Sequence, residues 1–199
     1  MNTAPRPLVA PALALAVLLA TALLAWWPLL GARPALADDY LFGPIAKGGV
    51  APYWHIYGIW RIAGHPVPFW VRDLIPHGDR ALALLAHLGA VTLFYALLRR
   101  LVASEPLQLA AALVFATMPF GFQALTWNSA LTFAMSTIWT LAALFVTLRP
   151  VERLAAGVKM GLAAGALSFL ALSANEASLV LIAWVAAYQV ARGGLGKEA

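Results

Sequence analysis

Residues 8–30 read LVAPALALAVLLATALLAWWPLL, a stretch of 23 residues without a charged side chain. An α-helix rises about 1.5 Å per residue, so a helix of this length crosses the roughly 30 Å hydrocarbon core of a bilayer. Arg6 before the stretch and Ala35-Leu36-Ala37 after it imitate a signal peptide and its cleavage site. The apolar run is, however, far longer than the usual signal-peptide core of about 7–15 residues. The sequence therefore predicts an uncleaved first membrane helix.

The composition of the whole chain points the same way. Of the 199 residues, 63% are hydrophobic and 11% are charged, whereas soluble domains have about 45–50% and about 25%. A core of this size cannot hide so much apolar surface from water, so the solvent is lipid. The chain has no Cys, which excludes a disulfide scaffold, a thiolate metal site and a Cys nucleophile.

Five further apolar stretches follow the first, at residues 81–98, 107–122, 129–148, 154–173 and 177–190. Ser104-Glu105-Pro106 comes directly before the stretch at 107–122 and predicts an N-cap serine with a proline in the first turn. The sequence predicts an all-α polytopic membrane protein with about six transmembrane helices, forming a single membrane domain over residues 1–199. The first outer loop, residues 31–80, holds nearly all the extramembrane material.

The basic residues between the spans predict the orientation. Short cytoplasmic connections in membrane proteins carry an excess of Lys and Arg. With the N-terminus in the cytoplasm, eight basic residues lie inside and five lie outside. The inner ones are Arg6, Arg99, Arg100, Arg149, Arg153, Lys159, Arg192 and Lys197, and the outer ones are Arg33, Lys47, Arg61, Arg72 and Arg80. We therefore expect a multi-pass protein of a bacterial-type inner (plasma) membrane with a cytoplasmic N-terminus, and no binding to nucleic acid.

The outer loop is rich in aromatic and aliphatic residues. Residues 53–62 have the spacing of a short amphipathic helix in the membrane interface, and residues 68–75 predict a second one. These helices either seat the loop on the membrane or form the wall of a groove in which a lipid-linked substrate meets water.

Asp38-Asp39 is the sharpest feature of this loop, because it is a pair of adjacent carboxylates in a chain poor in acidic residues. Such a pair can bind a divalent metal ion, or one carboxylate can act as a general base while the other orients it. The alternative is structural: an N-cap for a helix that begins near Tyr40, or a solvated turn.

Other polar side chains near the membrane boundary extend the candidate site. Arg61, Arg72, Arg80 and Lys47 are candidates for contact with phosphate, which Arg can bind in a bidentate geometry, and Arg61 and Arg72 are the leading ones. Each of the four could instead pair with an outer carboxylate or a lipid headgroup. Trp127 and Asn128 begin the fourth span, where polar side chains either face the groove or cap helix ends. Glu176, after Asn175, either reaches the same groove as Asp38-Asp39 or marks a solvated turn.

Two further patterns have structural interpretations. The four histidines lack the spacing of a zinc site, and we expect His87, inside the second span, to make an interhelical hydrogen bond. Gly157, Gly161 and Gly165 form a stripe that predicts close helix packing.

In its order of motifs the chain resembles the GT-C-type integral membrane glycosyltransferases, especially the protein O-mannosyltransferase-like branch. The matching segments are DDY at 38–40 after the first span, RR at 99–100 after the second, FATMP at 115–119 with ALTW at 124–127, and ALSANE at 171–176. This resemblance covers nearly the whole chain and implies the N-terminal module of such an enzyme.

The resemblance implies a sugar donor linked to polyprenyl phosphate and transfer to an acceptor hydroxyl on the outer face. One carboxylate of Asp38-Asp39 would deprotonate the acceptor, and the other would orient it or help to hold a metal. Met118, Gln123 and Asn175 stand where related sequences often have His, Glu and Lys. The alternative is therefore a non-catalytic membrane scaffold or partner subunit with the same module. A small transporter is disfavoured, because the middle of the spans carries little charge.

Overall fold

The structure is a computed structural model that describes residues 10–31, 66–118, 131–148, 154–175, 177–180, 183 and 187. Within these ranges all regular secondary structure is helical, which confirms the all-α prediction. The elements in chain order are α1 (Pro11–Trp26), which continues as a 3-10 helix (Trp27–Gly31), α2 (Pro66–Leu74), α3 (Gly78–Leu101), α4 (Glu105–Thr117), α5 (Leu131–Thr147) and α6 (Leu154–Ala174).

Three helical segments are long and apolar enough to cross a membrane: Pro11–Gly31, Gly78–Leu101 and Ala155–Ala174. Helices α4 and α5 have 13 and 17 residues, fewer than the roughly 20 that a transmembrane helix needs. In the predicted sixth stretch, residues 178–180, 183 and 187 are helical.

Helix α4 ends earlier than the predicted span at 107–122. It stops at Thr117, and Met118 is extended, with φ −63° and ψ 125°. The cause is Pro119, which restricts the preceding residue to extended backbone and has no N–H to continue the helix. Ser104 does occupy the N-cap position, but its hydroxyl makes no capping hydrogen bond.

The end of the predicted outer loop is helical. Helix α2 covers most of the 68–75 stretch for which a short helix was predicted, and α3 begins at Gly78 rather than at residue 81. The other predicted loop helix, at 53–62, lies outside the described residues.

The directions of the helices follow from which residues meet. Near its end, α1 contacts His87 in the first half of α3 and Ala116 at the end of α4. The start of α5, at Leu131, packs with Ala83 in the first turns of α3. Helices α3 and α5 therefore run in one direction, and α1 and α4 run in the other. We call the end near Trp26 the Trp26 end, and the opposite one, where α3 and α5 terminate, the Arg100 end.

Helix α6 packs against α5, but the glycine stripe does not form this contact. The buried side chains of α6 are Ala164, Ala171, Ser173 and Ala174. A Cβ atom added to Gly161 or Gly165 would meet nothing within 4 Å. The predicted packing role is therefore wrong for these two glycines among the described helices, because alanines on another face of α6 are the residues buried there.

Candidate functional site

One of the seven predicted site residues lies within the described residues. Arg72 is in α2, and its Nε lies 3.9 Å from Oδ1 of the neighbouring Asp73. The side chains are 27% and 42% exposed, so this is a weak, water-accessible ion pair. The other six, Asp38, Asp39, Arg61, Trp127, Asn128 and Glu176, lie outside the described residues.

Arg72 is at the Trp26 end because α2 packs closely on the start of α3. A Cβ atom at Gly78 would come within 2.8 Å of both Cγ1 and the carbonyl oxygen of Val71. Only glycine permits this approach without a shift of the neighbouring backbone. His77, just before it, adopts a left-handed conformation with φ 58°. These two residues form the sharp corner that brings α2 against α3.

The first turn of α3 contains two buried charged residues, of which only Arg80 was a candidate for phosphate contact from the sequence. Asp79 and Arg80 are 3% and 2% exposed. The Oδ1 atom of Asp79 accepts a hydrogen bond of 2.9 Å from the backbone N–H of Arg80. A carboxylate in the first turn of a helix is stabilised by the positive end of the helix dipole. The sequence signal for both is their position directly before a long apolar stretch.

A single carbonyl oxygen joins three helices at the Trp26 end. The carbonyl of Ala116 lies in the last turn of α4, where carbonyl groups lose their partners within the helix. The indole Nε1 of Trp26 donates to this oxygen at 2.8 Å. His87 Nε2 lies 2.9 Å from the same oxygen and must donate, because a carbonyl can only accept. The predicted interhelical hydrogen bond of His87 is confirmed.

Aromatic contacts surround this shared acceptor. The rings of Trp26 and His87 meet edge to face with centroids 5.8 Å apart, and His87 stacks on Phe115 at 6.0 Å. Phe94 packs on the other side of Phe115, with ring centroids 4.7 Å apart. The ends of α1 and α4 are therefore held in a fixed relation to α3.

Asn175 shapes the turn that follows α6. Its Oδ1 accepts a hydrogen bond of 2.9 Å from the backbone N–H of Ala177, and the hydroxyl of Ser178 donates to its carbonyl oxygen at 2.6 Å. The backbone N–H of Asn175 donates to the carbonyl oxygen of Ala171 in α6. Asn175 thus ends one helix and caps the next. This position is buried, so Asn175 does not lie in a solvated turn.

Helix α5 carries a line of buried polar side chains at Thr132, Ser136 and Thr140. Their spacing of four residues places them on one face of the helix, a pattern visible in the sequence but not selected from it. Among the described residues, Thr140 Oγ1 has no hydrogen-bond partner. This line gives α5 a polar stripe on one buried face.

The described residues contain no group of three or more His, Asp or Glu side chains arranged to hold a metal ion. A metal site built on Asp38-Asp39 lies outside these ranges. The chemistry that the described part of the Trp26 end offers is therefore hydrogen bonding and charge, from Arg72, Asp79 and Arg80.

The described residues thus define an all-helical chain with three helices long and apolar enough to cross a membrane. Comparisons with protein-family models, with curated proteins and with solved structures give no match to this chain. The functional assignment therefore depends on the residues themselves.

Proposed function

We propose that the chain is a six-span integral membrane protein with its N-terminus in the cytoplasm of a cell with a bacterial-type inner membrane. Three long apolar helices support this topology, as do the alternating directions of α1, α3 and α4. The charges support the orientation. The described part of the Arg100 end includes Arg99 and Arg100 in the last turn of α3, and basic residues concentrate on the cytoplasmic side.

We infer that the protein is a membrane glycosyltransferase, or its N-terminal module, acting at the Trp26 end on the outer face. It would transfer a sugar from a polyprenyl-phosphate donor to an acceptor hydroxyl. The hydrogen bond from Trp26 to Ala116 supports this most directly. It fastens together the ends of α1 and α4, from which the segments with Asp38-Asp39 and with Trp127-Asn128 depart.

The reach of these two segments is compatible with one site. Asp38 follows Gly31 by seven residues, and Trp127 follows Met118 by nine. An extended chain spans at most about 3.6 Å per residue, so either segment can reach about 25 Å from its helix end. Arg72, in α2, lies at the same end of the bundle.

In this proposal one carboxylate of Asp38-Asp39 takes the proton of the acceptor hydroxyl as its oxygen attacks the anomeric carbon. The other carboxylate orients the acceptor or helps to hold a divalent metal ion. Arg61 and Arg72 bind the departing phosphate, and their positive charge stabilises the negative charge that develops on it. Trp127, Asn128 and Glu176 complete the binding groove.

The test is sugar transfer in membranes that contain Asp38→Asn or Asp39→Asn, with a labelled polyprenyl-phosphate sugar as donor. Loss of a general base lowers the rate by about 10²–10⁴-fold, and we expect a loss in this range for the variant that removes the base. Glu105→Gln is the matched control, because this carboxylate lies in the first turn of α4 at the Arg100 end. Full activity of both aspartate variants would exclude the mechanism.

One observation favours the alternative, a non-catalytic scaffold or partner subunit. Asn175 stands where the resembling enzymes often have Lys, and its side chain is occupied in capping the next helix. A scaffold would tolerate the loss of both aspartates. The Asp38→Asn and Asp39→Asn variants would then restore the phenotype of a strain that lacks the chain as fully as the unaltered protein does.

A further inference from the structure

Two cations at the Arg100 end have no partner in the described part of the protein. Arg99 lies in the last turn of α3. Lys159 lies in the second turn of α6, which packs against α5 and begins seven residues after α5 ends, so we infer that this turn also lies at the Arg100 end. Both side chains are exposed. Neither makes a side-chain hydrogen bond or an ion pair with another described residue. Both side chains are therefore accessible to groups outside the described helices.

The neighbouring Arg100, by contrast, binds to another helix of the protein. Its Nη1 donates to the carbonyl oxygen of Phe145 at 3.0 Å, and the guanidinium lies 3.6 Å from the centroid of the Phe145 ring. This arginine joins α3 to the last turn of α5 and is committed to the protein. Arg99, one residue earlier, makes no such contact with a described residue.

The charge around these two cations is strongly asymmetric. Among the described residues at this end, three are basic, Arg99, Arg100 and Lys159, and one is acidic, Glu105. The described stretch at the Trp26 end, residues 66–80, is balanced, with Arg72 and Arg80 against Asp73 and Asp79. The Arg100 end is therefore complementary to an anionic surface.

The apolar neighbours of the two cations indicate what kind of anionic surface this is. Leu101, next to the arginines, is 52% exposed, and Val158, next to Lys159, is 54% exposed. Lys159 is five residues into α6, so it is about 7.5 Å from the helix start along the axis. Cations directly beside exposed aliphatic side chains fit the boundary between hydrocarbon and headgroups, where long basic side chains extend toward the phosphates.

We propose that Arg99 and Lys159 bind the phosphates of anionic phospholipids in the leaflet at the Arg100 end. The guanidinium of Arg99 makes a bidentate contact with a phosphate, and Lys159 supplies a point charge. The acyl chains lie along the exposed aliphatic side chains of Leu101 and Val158. This lipid site is independent of any sugar transfer at the Trp26 end.

The experiment uses the full chain reconstituted in nanodiscs of phosphatidylcholine and phosphatidylglycerol at equal amounts. Native mass spectrometry after release counts the molecules of each lipid that remain bound. We expect the unaltered protein to retain phosphatidylglycerol in preference. Arg99→Gln and Lys159→Gln should each lower this preference about fivefold, the contribution of one basic residue near an anionic surface. The preference should also fall with rising salt.

Arg99→Lys is the matched control, because it keeps the charge and should retain most of the preference. Both side chains are exposed, so the unfolding midpoint of each variant in detergent should equal that of the unaltered protein. Equal retention of the two lipids by the unaltered protein would overturn the proposal, as would an unchanged preference in the Arg99→Gln, Lys159→Gln double variant. Crosslinking through residue 99 to a second copy or to an acidic protein, undiminished by phosphatidylglycerol, would overturn it as well.

Discussion

Trp26 and His87 share one hydrogen-bond acceptor, the carbonyl oxygen of Ala116, with donor distances of 2.8 and 2.9 Å. Pro119 prevents α4 from continuing, so the Ala116 carbonyl lies in the last turn of the helix. Its oxygen is therefore free to accept hydrogen bonds from side chains. One proline thus makes available the group that ties α1 and α3 to α4.

The shared acceptor predicts that the two donors are not independent. Trp26→Phe and His87→Phe each keep an aromatic ring and remove one N–H, and each should cost about 0.5–1.5 kcal/mol of unfolding free energy. The double variant leaves the buried carbonyl without either donor, so its cost should exceed the sum of the single costs by about 1 kcal/mol or more. Chemical unfolding in detergent measures these values, and strict additivity would contradict the shared acceptor.

Gly78 should tolerate no side chain. In Gly78→Ala the new Cβ would lie 2.8 Å from Val71, and relieving this overlap should cost about 1–3 kcal/mol. Gly165→Ala is the control, since its Cβ would meet nothing within 4 Å, and alanine favours a helix by up to about 1 kcal/mol. The thermal unfolding midpoint should therefore fall in the first variant and stay or rise in the second. Equal midpoints would show that α2 does not pack on α3 in this way.

The face of α6 that packs against α5 should be the one that carries the buried alanines. Ala171 is fully buried, so Ala171→Leu should overpack its site and cost about 1–3 kcal/mol. Gly161→Leu places the same side chain on a face that meets nothing and should change the free energy of unfolding far less. The opposite ranking in a detergent unfolding experiment would restore the glycine stripe as the packing surface.

Arg100 should contribute to stability through its planar guanidinium rather than through its charge alone. Arg100→Lys keeps the charge but loses the planar contact with the Phe145 ring and the N–H that points at the Phe145 carbonyl oxygen. We therefore expect the free energy of unfolding to fall by about 1 kcal/mol. Arg99→Gln removes a charge with no partner among the described residues and should change stability by less than about 0.5 kcal/mol. Unfolding midpoints of the two variants decide the matter, and equal effects would count against the specific contact between Arg100 and Phe145.

The helices were predictable from the sequence because each long one coincides with an apolar run whose few charges, such as Lys159 in α6, lie near its ends. Their ends were less predictable. The predicted span at 107–122 runs through Pro119, although a proline restricts the backbone of the residue before it. The start of α3 was predicted too late. The charged residues Asp79 and Arg80 were assigned to the loop, whereas they are buried in the first turn of the helix.

Contacts between helices could not be predicted from local patterns. The rotation of α6 about its axis depends on what α5 presents to it, so glycine and alanine stripes were equally suitable in the sequence. The pairing of Trp26 with Ala116 has no local signal at all, because the two residues are 90 positions apart. Of the seven predicted site residues the structure describes Arg72, and the roles of all seven stay predictions.

The separation of Trp26 from its acceptor has a consequence for biogenesis. The ribosome synthesises Trp26 well before Ala116, so the indole N–H of a newly made α1 has no access to this carbonyl. This hydrogen bond is consequently a late event that requires 90 further residues to emerge. A nascent chain arrested before Ala116 lacks the acceptor, although its α1 can already meet His87 of α3.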